Sequence, residues 1–127
     1  AKDPTNPDIR LMLGDVYARL DRAAEARGQY EQALAIHPDY AAAHNNLGVL
    51  LLEQRDKTGA KKEFEKALAI RPDFTDAMCN MGTVCAHMGD TIAAADWWER
   101  VLILDKYHAS ARWNLLRLHQ RHAEPPK

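Results

Sequence analysis

The sequence lacks the features that mark membrane, nucleic-acid-binding and disulfide-rich proteins. No apolar run in its 127 residues approaches the roughly 20 that span a bilayer, so we expect no membrane insertion. Its 17 Lys and Arg nearly balance 18 Asp and Glu, and a net charge of −1 does not favour nucleic acid as a partner. The opening residues contain no apolar core of a signal peptide, so we expect any targeting segment to have been removed already.

Cysteine is scarce, with only Cys79 and Cys85 present. Their six-residue separation within one helical pattern places them on different helix faces, so they cannot bridge there. We expect both cysteines to be free, small side chains. Free thiols favour a reducing, cytoplasmic compartment. A periplasmic location stays open if a signal peptide has been removed.

Signs of catalysis, metal binding and cofactor binding are equally scarce. No Ser-His-Asp spacing, glycine-rich phosphate loop or pair of acids in a cleft is evident. His119 and His122 are three residues apart on the last helical pattern, but no third ligand matches them. We therefore predict no enzyme, no metal site and no cofactor.

Three kinds of residue recur at a constant step of 34 residues, which is typical of a repeat solenoid. They are a glycine, an alanine and a large ring. The positions are Gly14, Gly48 and Gly82; Ala26, Ala60 and Ala94; Tyr30, Phe64 and Trp98.

Each repeat contains two stretches with apolar residues at helical spacing, and no stretch alternates with period two. The sequence therefore predicts an all-α fold. The predicted boundaries are an extension at 1–6, repeats at 7–40, 41–74 and 75–108, a lone helix at 109–122 and a tail at 123–127.

Aspartates near the turns are candidate helix caps, because a carboxylate accepts bonds from the free N–H groups of a first helical turn. Asp21, Asp56 and Asp90 precede the second helix of each repeat. Asp39 and Asp73 precede the first helix of the next repeat. We expect all five to cap.

The glycine at the 34-residue step predicts close packing. We expect Gly48 to let two helices approach each other, with Ala60 small to match. The ring of Phe64 would then fill the gap to the neighbouring repeat. In the lone helix, Leu116 stands where the repeats have glycine, since no following helix needs to approach it.

These residues resemble the tetratricopeptide repeat (TPR) family over nearly all of residues 7–122. The resemblance implies a right-handed α-solenoid of three helix-turn-helix units and a capping helix, seven helices in all, with no cap at the N-terminal side, where earlier repeats could have been cut away. The third unit departs from the pattern at Lys106. The motifs are Leu13-Gly14, Tyr17, Ala26, Tyr30, Ala33 and Pro38; Leu47-Gly48, Leu51, Ala60, Phe64, Ala67 and Pro72; Met81-Gly82, Cys85, Ala94, Trp98 and Val101.

The resemblance also implies a function: a protein-interaction module that holds a peptide or helical segment of a partner in a concave groove lined by the first helix of each pair. The alternatives are a self-associating structural unit, stacking end to end or through Trp97, and an accessory segment of a larger assembly or enzyme. The implied groove residues are Leu11, Met12, Asp15, Asn45, Asn46, Val49, Leu52, Glu53, Asn80, Thr83, His87, Trp113, Asn114, Arg117 and Arg121.

Asn46, Asn80 and Asn114 form a possible amide ladder at the 34-residue step. Such amides either bind the backbone of an extended peptide or bind the neighbouring helix, and the sequence leaves both open. Trp113 likewise either covers the end of the core or contacts a ligand. Trp97 should point outwards or lie partly under its neighbours.

Co-chaperone TPR domains share a clamp of lysine, arginine and asparagine for two carboxylates. The corresponding positions here match at Asn46 alone, and Asp15 would repel a carboxylate. Binding of chaperone C-terminal tails by that clamp is therefore not expected. The five positions hold Leu11, Asp15, Asn46, Cys79 and Thr83.

Overall fold

The computed structural model describes residues 5–123, without the side chains at positions 122 and 123. Within these residues the chain forms seven α-helices and no strand, so the all-α prediction is confirmed. Residues 1–4 of the predicted extension and 124–127 of the predicted tail lie outside the described residues. The helices are α1 (Pro7–Arg19), α2 (Ala23–Ile36), α3 (Ala41–Glu53), α4 (Lys57–Ile70), α5 (Thr75–His87), α6 (Thr91–Leu104) and α7 (Ala109–Ala123).

The helices pack in consecutive pairs and divide between two compact units. The first unit ends at Pro72 and holds α1 to α4, with α1 on α2, α3 on α4, and α3 also against α2 and α1. The second unit begins at Asp73 and holds α5 to α7, with α6 packed against both other helices.

A buried ring lies over the glycine of its own repeat. An added Cβ at Gly14 would lie 2.5 Å from Cε1 of Tyr30, and one at Gly48 would lie 2.5 Å from Cε1 of Phe64. Real carbon atoms do not approach so closely without something moving. Glycine is therefore required because the ring occupies the space that a side chain would need.

The third repeat pairs Gly82 with Trp98 in the same way. This corrects our expectation for Gly48: the space over it admits the ring of Phe64 from the second helix of the same repeat, and not a neighbouring helix backbone. The small residues predicted beside the rings, Ala26, Ala60 and Ala94, are fully buried.

The turn within each repeat shares one backbone shape, which explains which aspartates cap. The residues at the 34-residue step adopt positive φ, at 60° for Asp21, 67° for Arg55 and 87° for Gly89. In each case the next residue donates its N–H to a carbonyl five positions back, at 2.9 Å, as in a Schellman helix end. The side chain that caps the second helix must therefore come from the following position.

That following position holds Asp56 and Asp90, whose Oδ1 atoms accept from the N–H groups of Gly59 at 2.9 Å and Ala93 at 3.1 Å. The predicted cap at Asp21 is wrong, because the first repeat has Arg22 there and no side-chain cap.

The predicted caps at Asp39 and Asp73 are also wrong. Tyr40 and Phe74 occupy the cap positions of α3 and α5, and neither makes a side-chain cap bond.

Polar side chains fasten two of the three inter-repeat loops to an earlier helix. Tyr40 Oη donates to Asp8 Oδ1 at 2.5 Å, and His108 Nε2 lies 3.2 Å from Asp76 Oδ1 at the equivalent place two repeats later. Burial and the bond to Asp8 raise the pKa of Tyr40 to about 12.

The lone helix α7 breaks the glycine pattern. Leu116 occupies the repeat position of Gly48 and Gly82, and it is 51% exposed where those glycines are buried.

Replacing Gly48 tests the packing of the ring. Gly48→Ala is expected to lower the free energy of unfolding by about 1–3 kcal/mol, because the new methyl overlaps the fully buried ring of Phe64. Gly28→Ala on α2 is the matched control, because no atom lies within 4 Å of an added Cβ there. The control should gain up to about 1 kcal/mol from helix propensity. Urea unfolding measures both, and equal changes would contradict the role of the ring.

Candidate functional site

A cavity of about 230 Å³ opens in the first unit beside the ring of Tyr30. The first helices of two successive repeats form most of its wall, because residues spaced three or four apart share one helix face. Its lining combines charged, amide and apolar groups, which is typical of sites that orient a ligand through a few polar contacts. The lining residues are Asp15, Ala18 and Arg19 of α1, Tyr30 of α2, and Asn46, Val49, Leu50 and Glu53 of α3.

The carboxylate of Asp15 is the polar centre of this cavity. Its Oδ1 accepts a 2.6 Å bond from Tyr30 Oη and a 3.0 Å bond from Asn46 Nδ2. Burial of the ring raises the pKa of Tyr30, and the bond to the Asp15 carboxylate raises it further, so the hydroxyl stays protonated and keeps donating. The site therefore presents a fixed negative charge.

Asn46 consequently binds the neighbouring helix through its amide nitrogen, which is one of the two alternatives that the sequence left open. Its Oδ1 accepts from Asn45 Nδ2 at 3.5 Å, a long bond. The second N–H of this amide and the remaining lone pair of its oxygen therefore have spare capacity for a ligand.

A second cavity of about 250 Å³ opens in the second unit beside Trp98. Its basic side chains are Arg117, Arg121 and His87, and no acidic residue lines it. The lining residues are Thr83, Ala86 and His87 of α5, Thr91 and Trp98 of α6, and Asn114, Arg117, Leu118 and Arg121 of α7.

The backbone carbonyl of Cys79 organises the base of this cavity. It accepts from Trp98 Nε1 at 3.1 Å and from Thr83 Oγ1 at 3.2 Å. The thiol of Cys79 lies 3.9 Å from Asn114 Nδ2. Its pKa is raised to about 11, mainly by burial and also by the charge of Asp76, so it stays a neutral thiol at pH 7.

The two cavities occupy equivalent places in the repeat. All eight residues that line the first have a counterpart in the second, 68 residues or two repeats further on. Their charges differ: two acids and one arginine line the first, whereas two arginines and a histidine line the second. The changes of character are Asp15 to Thr83, Arg19 to His87, Val49 to Arg117 and Glu53 to Arg121.

Most of the residues that the sequence suggested for the groove line one of these cavities. The first cavity contains Asp15, Asn46, Val49 and Glu53, and the second contains Thr83, His87, Asn114, Arg117 and Arg121. Leu11, Met12, Asn45, Leu52, Asn80 and Trp113 line neither of them.

The residues outside the cavities differ in their surroundings. Asn45 is buried, whereas Met12 is 65% exposed and Trp113 59% exposed. Trp113 borders a separate apolar depression with Leu102, Tyr107 and Leu116. Trp97 is half-buried, with the guanidinium of Arg100 4.9 Å from the centre of its ring.

Tyr30 and Trp98 border the two cavities, although the sequence analysis assigned them to the core alone. Both rings are nonetheless buried in the core, at 2% exposed for Tyr30 and 5% exposed for Trp98. The signal was present in the repeat, because the ring and the groove residues share the same 34-residue step.

Across residues 5–123, no three His, Cys, Asp or Glu side chains are grouped so that they could hold a metal ion. The side chain of His122, half of the histidine pair noted in the sequence, lies outside the described residues. None of the described helices has the length and apolar character needed to cross a membrane.

Comparison with known proteins identifies the same kind of repeat. A family model described as tetratricopeptide repeat matches residues 11–73. No match was found among curated proteins.

Solved structures resemble the chain closely in fold, at sequence identities that support a conclusion about fold alone. The first TPR of Spaghetti (RPAP3), bound to an HSP90 peptide, has a TM-score of 0.87 at 20% identity, covering 96% of this chain and 97% of its own. Pseudomonas aeruginosa PilF has a TM-score of 0.87 at 24% identity, covering 94% and 55%. MamA has a TM-score of 0.80 at 22% identity, covering 89% of this chain and 66% of its own. The chain thus spans about two thirds or less of the MamA and PilF chains.

Removing the hydroxyl of Tyr30 tests the Asp15 network. Tyr30→Phe is expected to cost about 2 kcal/mol of unfolding free energy, because the ring packing remains but a bond to a carboxylate is lost. Since folding raises the pKa of Tyr30, its stabilising effect is complete below about pH 10 and is lost as the pH rises towards the folded pKa.

Urea unfolding at pH 8 to 11 measures this effect. The wild type should lose stability above about pH 10 more steeply than Tyr30→Phe does. Tyr107→Phe, at an exposed ring, is the control. Equal slopes for the wild type and Tyr30→Phe would show that the buried hydroxyl does not couple to folding.

Proposed function

Because the chain belongs to the tetratricopeptide repeat family, we propose that it is a non-catalytic protein-interaction module, and that each of its two cavities contacts part of a partner protein. Domains of this family generally bind other proteins.

The recurrence of one cavity lining after two repeats supports this proposal most directly. The packing of a ring on a glycine does not require an open cavity beside the ring. It also does not require charged or amide side chains to line such a cavity. Such a mixture of apolar wall and sparse polar groups suits a peptide segment, whose backbone needs donors and acceptors and whose side chains need apolar contact.

The charge of the first cavity restricts the partner. Asp15 and Glu53 outnumber Arg19 there, and the Asp15 carboxylate is held in place by Tyr30 and Asn46. A carboxylate that entered this cavity would meet like charge. The solved neighbour from RPAP3 holds an HSP90 peptide, but the first cavity of this chain favours a cationic or neutral segment.

Changing the first cavity tests the proposed function. Val49→Arg places in the first cavity the residue that the second has at the equivalent position, and it both narrows the space and reduces the negative charge. Peptides selected from a random display library against the wild type should bind this variant about tenfold or more weakly, as measured by fluorescence anisotropy.

Lys62→Ala, at an exposed position on α4, is the matched control and should bind as the wild type does. Thermal unfolding establishes that both variants are folded. Equal affinity of Val49→Arg and wild type for every selected peptide would remove the first cavity from the proposed function.

Self-association is a second candidate, favoured by the exposed apolar face of α1. Val16 is 50% exposed, whereas Leu50, Val84 and Leu118 at the equivalent repeat positions are at most 9% exposed. Met12 on the same helix is 65% exposed, and Leu20 at the C-cap of that helix is 60% exposed. A second copy of the chain would bury this face, because apolar surface is stabilised by removal from water.

Sedimentation across a hundredfold range of protein concentration decides this candidate. If copies associate through α1, the average mass of the wild type rises with concentration and Val16→Glu stays monomeric, since burying an unpaired charge is costly. Thr58→Glu, an exposed position on α4, is the control and should behave as the wild type does. A wild type that is monomeric throughout the range would exclude association by this face.

A further inference from the structure

We infer that the second cavity is a binding site for a carboxylate, and that it takes an aspartate or glutamate side chain of the partner segment. This inference rests on the proposed function, whose site it makes specific. It depends on the charge, the free donors and the apolar base of the cavity formed by α5, α6 and α7.

The charge of the cavity is the first observation. Relative to the equivalent residues of the first cavity, an aspartate has become Thr83, a valine has become Arg117 and a glutamate has become Arg121. Each of these differences makes the second cavity more positive. Only the replacement of Arg19 by His87 makes the second cavity less positive, and it adds no acid.

The donors are the second observation. Within residues 5–123 the guanidinium groups of Arg117 and Arg121 form no ion pair, whereas Arg22 and Arg100 are paired with acids on their own helices. A planar guanidinium can bind both oxygens of a carboxylate through parallel N–H bonds.

Other polar groups of the cavity are already directed elsewhere. The hydroxyl of Thr83 and the indole N–H of Trp98 donate to the carbonyl of Cys79, so neither competes for the ligand. Asn114 has only the weak 3.9 Å contact with the Cys79 thiol and adds an amide donor on the same wall as Arg117. Asn114, Arg117 and Arg121 thus all present donors to the cavity from α7.

The base of the cavity is the third observation. Trp98 and Leu118 are both buried to about nine tenths or more, and Ala86 lies beside them. The methylene groups of an acidic side chain would contact this base while its carboxylate meets the arginines. Partial removal from water strengthens such charge-assisted bonds.

The two cavities together give the site its selectivity. An acidic side chain is attracted to the arginines of the second cavity, while Asp15 and Glu53 repel it from the first. A cationic side chain has the opposite preference. The chain therefore discriminates between partner segments by the charge of the side chain that each segment places in each cavity.

Nuclear magnetic resonance titration with a single-residue probe tests the site without any knowledge of the partner. The probe is N-acetyl-glutamate amide, with N-acetyl-glutamine amide and inorganic phosphate as parallel ligands at constant ionic strength. We expect saturable shifts of the backbone amides of Thr83, Asn114 and Arg117 with the glutamate probe, and no saturable shift with the glutamine probe.

The variant Arg117→Val/Arg121→Glu installs the side chains that the first cavity carries at the equivalent positions, and so keeps residue types that this architecture already accommodates. It should bind the glutamate probe about tenfold or more weakly, because both charge-assisted contacts are lost. Arg112→Ala removes an exposed arginine of α7 outside the cavity, and should leave binding unchanged.

Each contrary result overturns the inference in a recognisable way. Equal binding of the glutamine probe would show that charge does not decide binding, and equal binding by the double variant would place the site elsewhere. Binding of phosphate alone would assign the cavity to phosphate and not to a carboxylate.

The proposed function fails separately. If Val49→Arg bound every selected peptide normally while the glutamate probe bound in the second cavity, the carboxylate site would be retained. The first cavity would then have no part in binding the partner. If selected peptides depended on Val49 and the glutamate probe did not bind, the module would still hold a partner, but without this carboxylate contact.

Discussion

Contact between a buried ring and a glycine is the constraint on which the structure depends. In each repeat the second helix inserts one large side chain against a helix that offers only backbone at that point. The contact fixes how closely the two helices of a pair lie and how they are rotated about their axes. Because the ring and the glycine recur at one step, every pair is assembled in the same way, and the remaining positions on the first helices are free to vary.

This contact also determines the chemistry of the cavities. The rings of Tyr30 and Trp98 each border a cavity, and each has one polar atom that donates a hydrogen bond. The phenol of Tyr30 donates to a carboxylate on α1, whereas the indole of Trp98 donates to a backbone carbonyl on α5. A hydroxyl in the ring thus supports a partly buried acid in the first cavity. The indole N–H of Trp98 donates to a backbone carbonyl and so does not need an acid as its acceptor. The second cavity accordingly has Thr83 in place of Asp15.

The fold could be predicted from the sequence because the signals that specify it are periodic. Glycine, alanine and ring at a constant step, with helical spacing between them, led to seven helices packed in pairs. Local hydrogen bonds were harder to predict. Asp21 and Asp56 look alike as turn residues, but a shift of one position places the first in a left-handed conformation and lets the second cap a helix.

The candidate site was predictable as a face of the helices but not as a set of contacts. Membership of a helix face follows from spacing, so Asp15, Glu53, Arg117 and Arg121 could be grouped in advance. Whether Asn46 binds a ligand or a neighbour depends on a side chain 31 residues away, and spacing along one helix contains no such information. The burial of Asn45 and the exposure of Trp113 likewise depend on which helix covers each position, although the two residues hold equivalent places in the repeat.

Leu116 has a consequence for anyone who wishes to lengthen this array by grafting. At the equivalent position the three repeats have a glycine, and a ring packs against its backbone. In α7 the side chain of Leu116 occupies that space. A ring-bearing helix of the same design spliced in behind α7 would collide with it. A longer chimera would therefore need Leu116 replaced by glycine. A fusion that keeps Leu116 would need a smaller residue than a ring at the position that packs against α7.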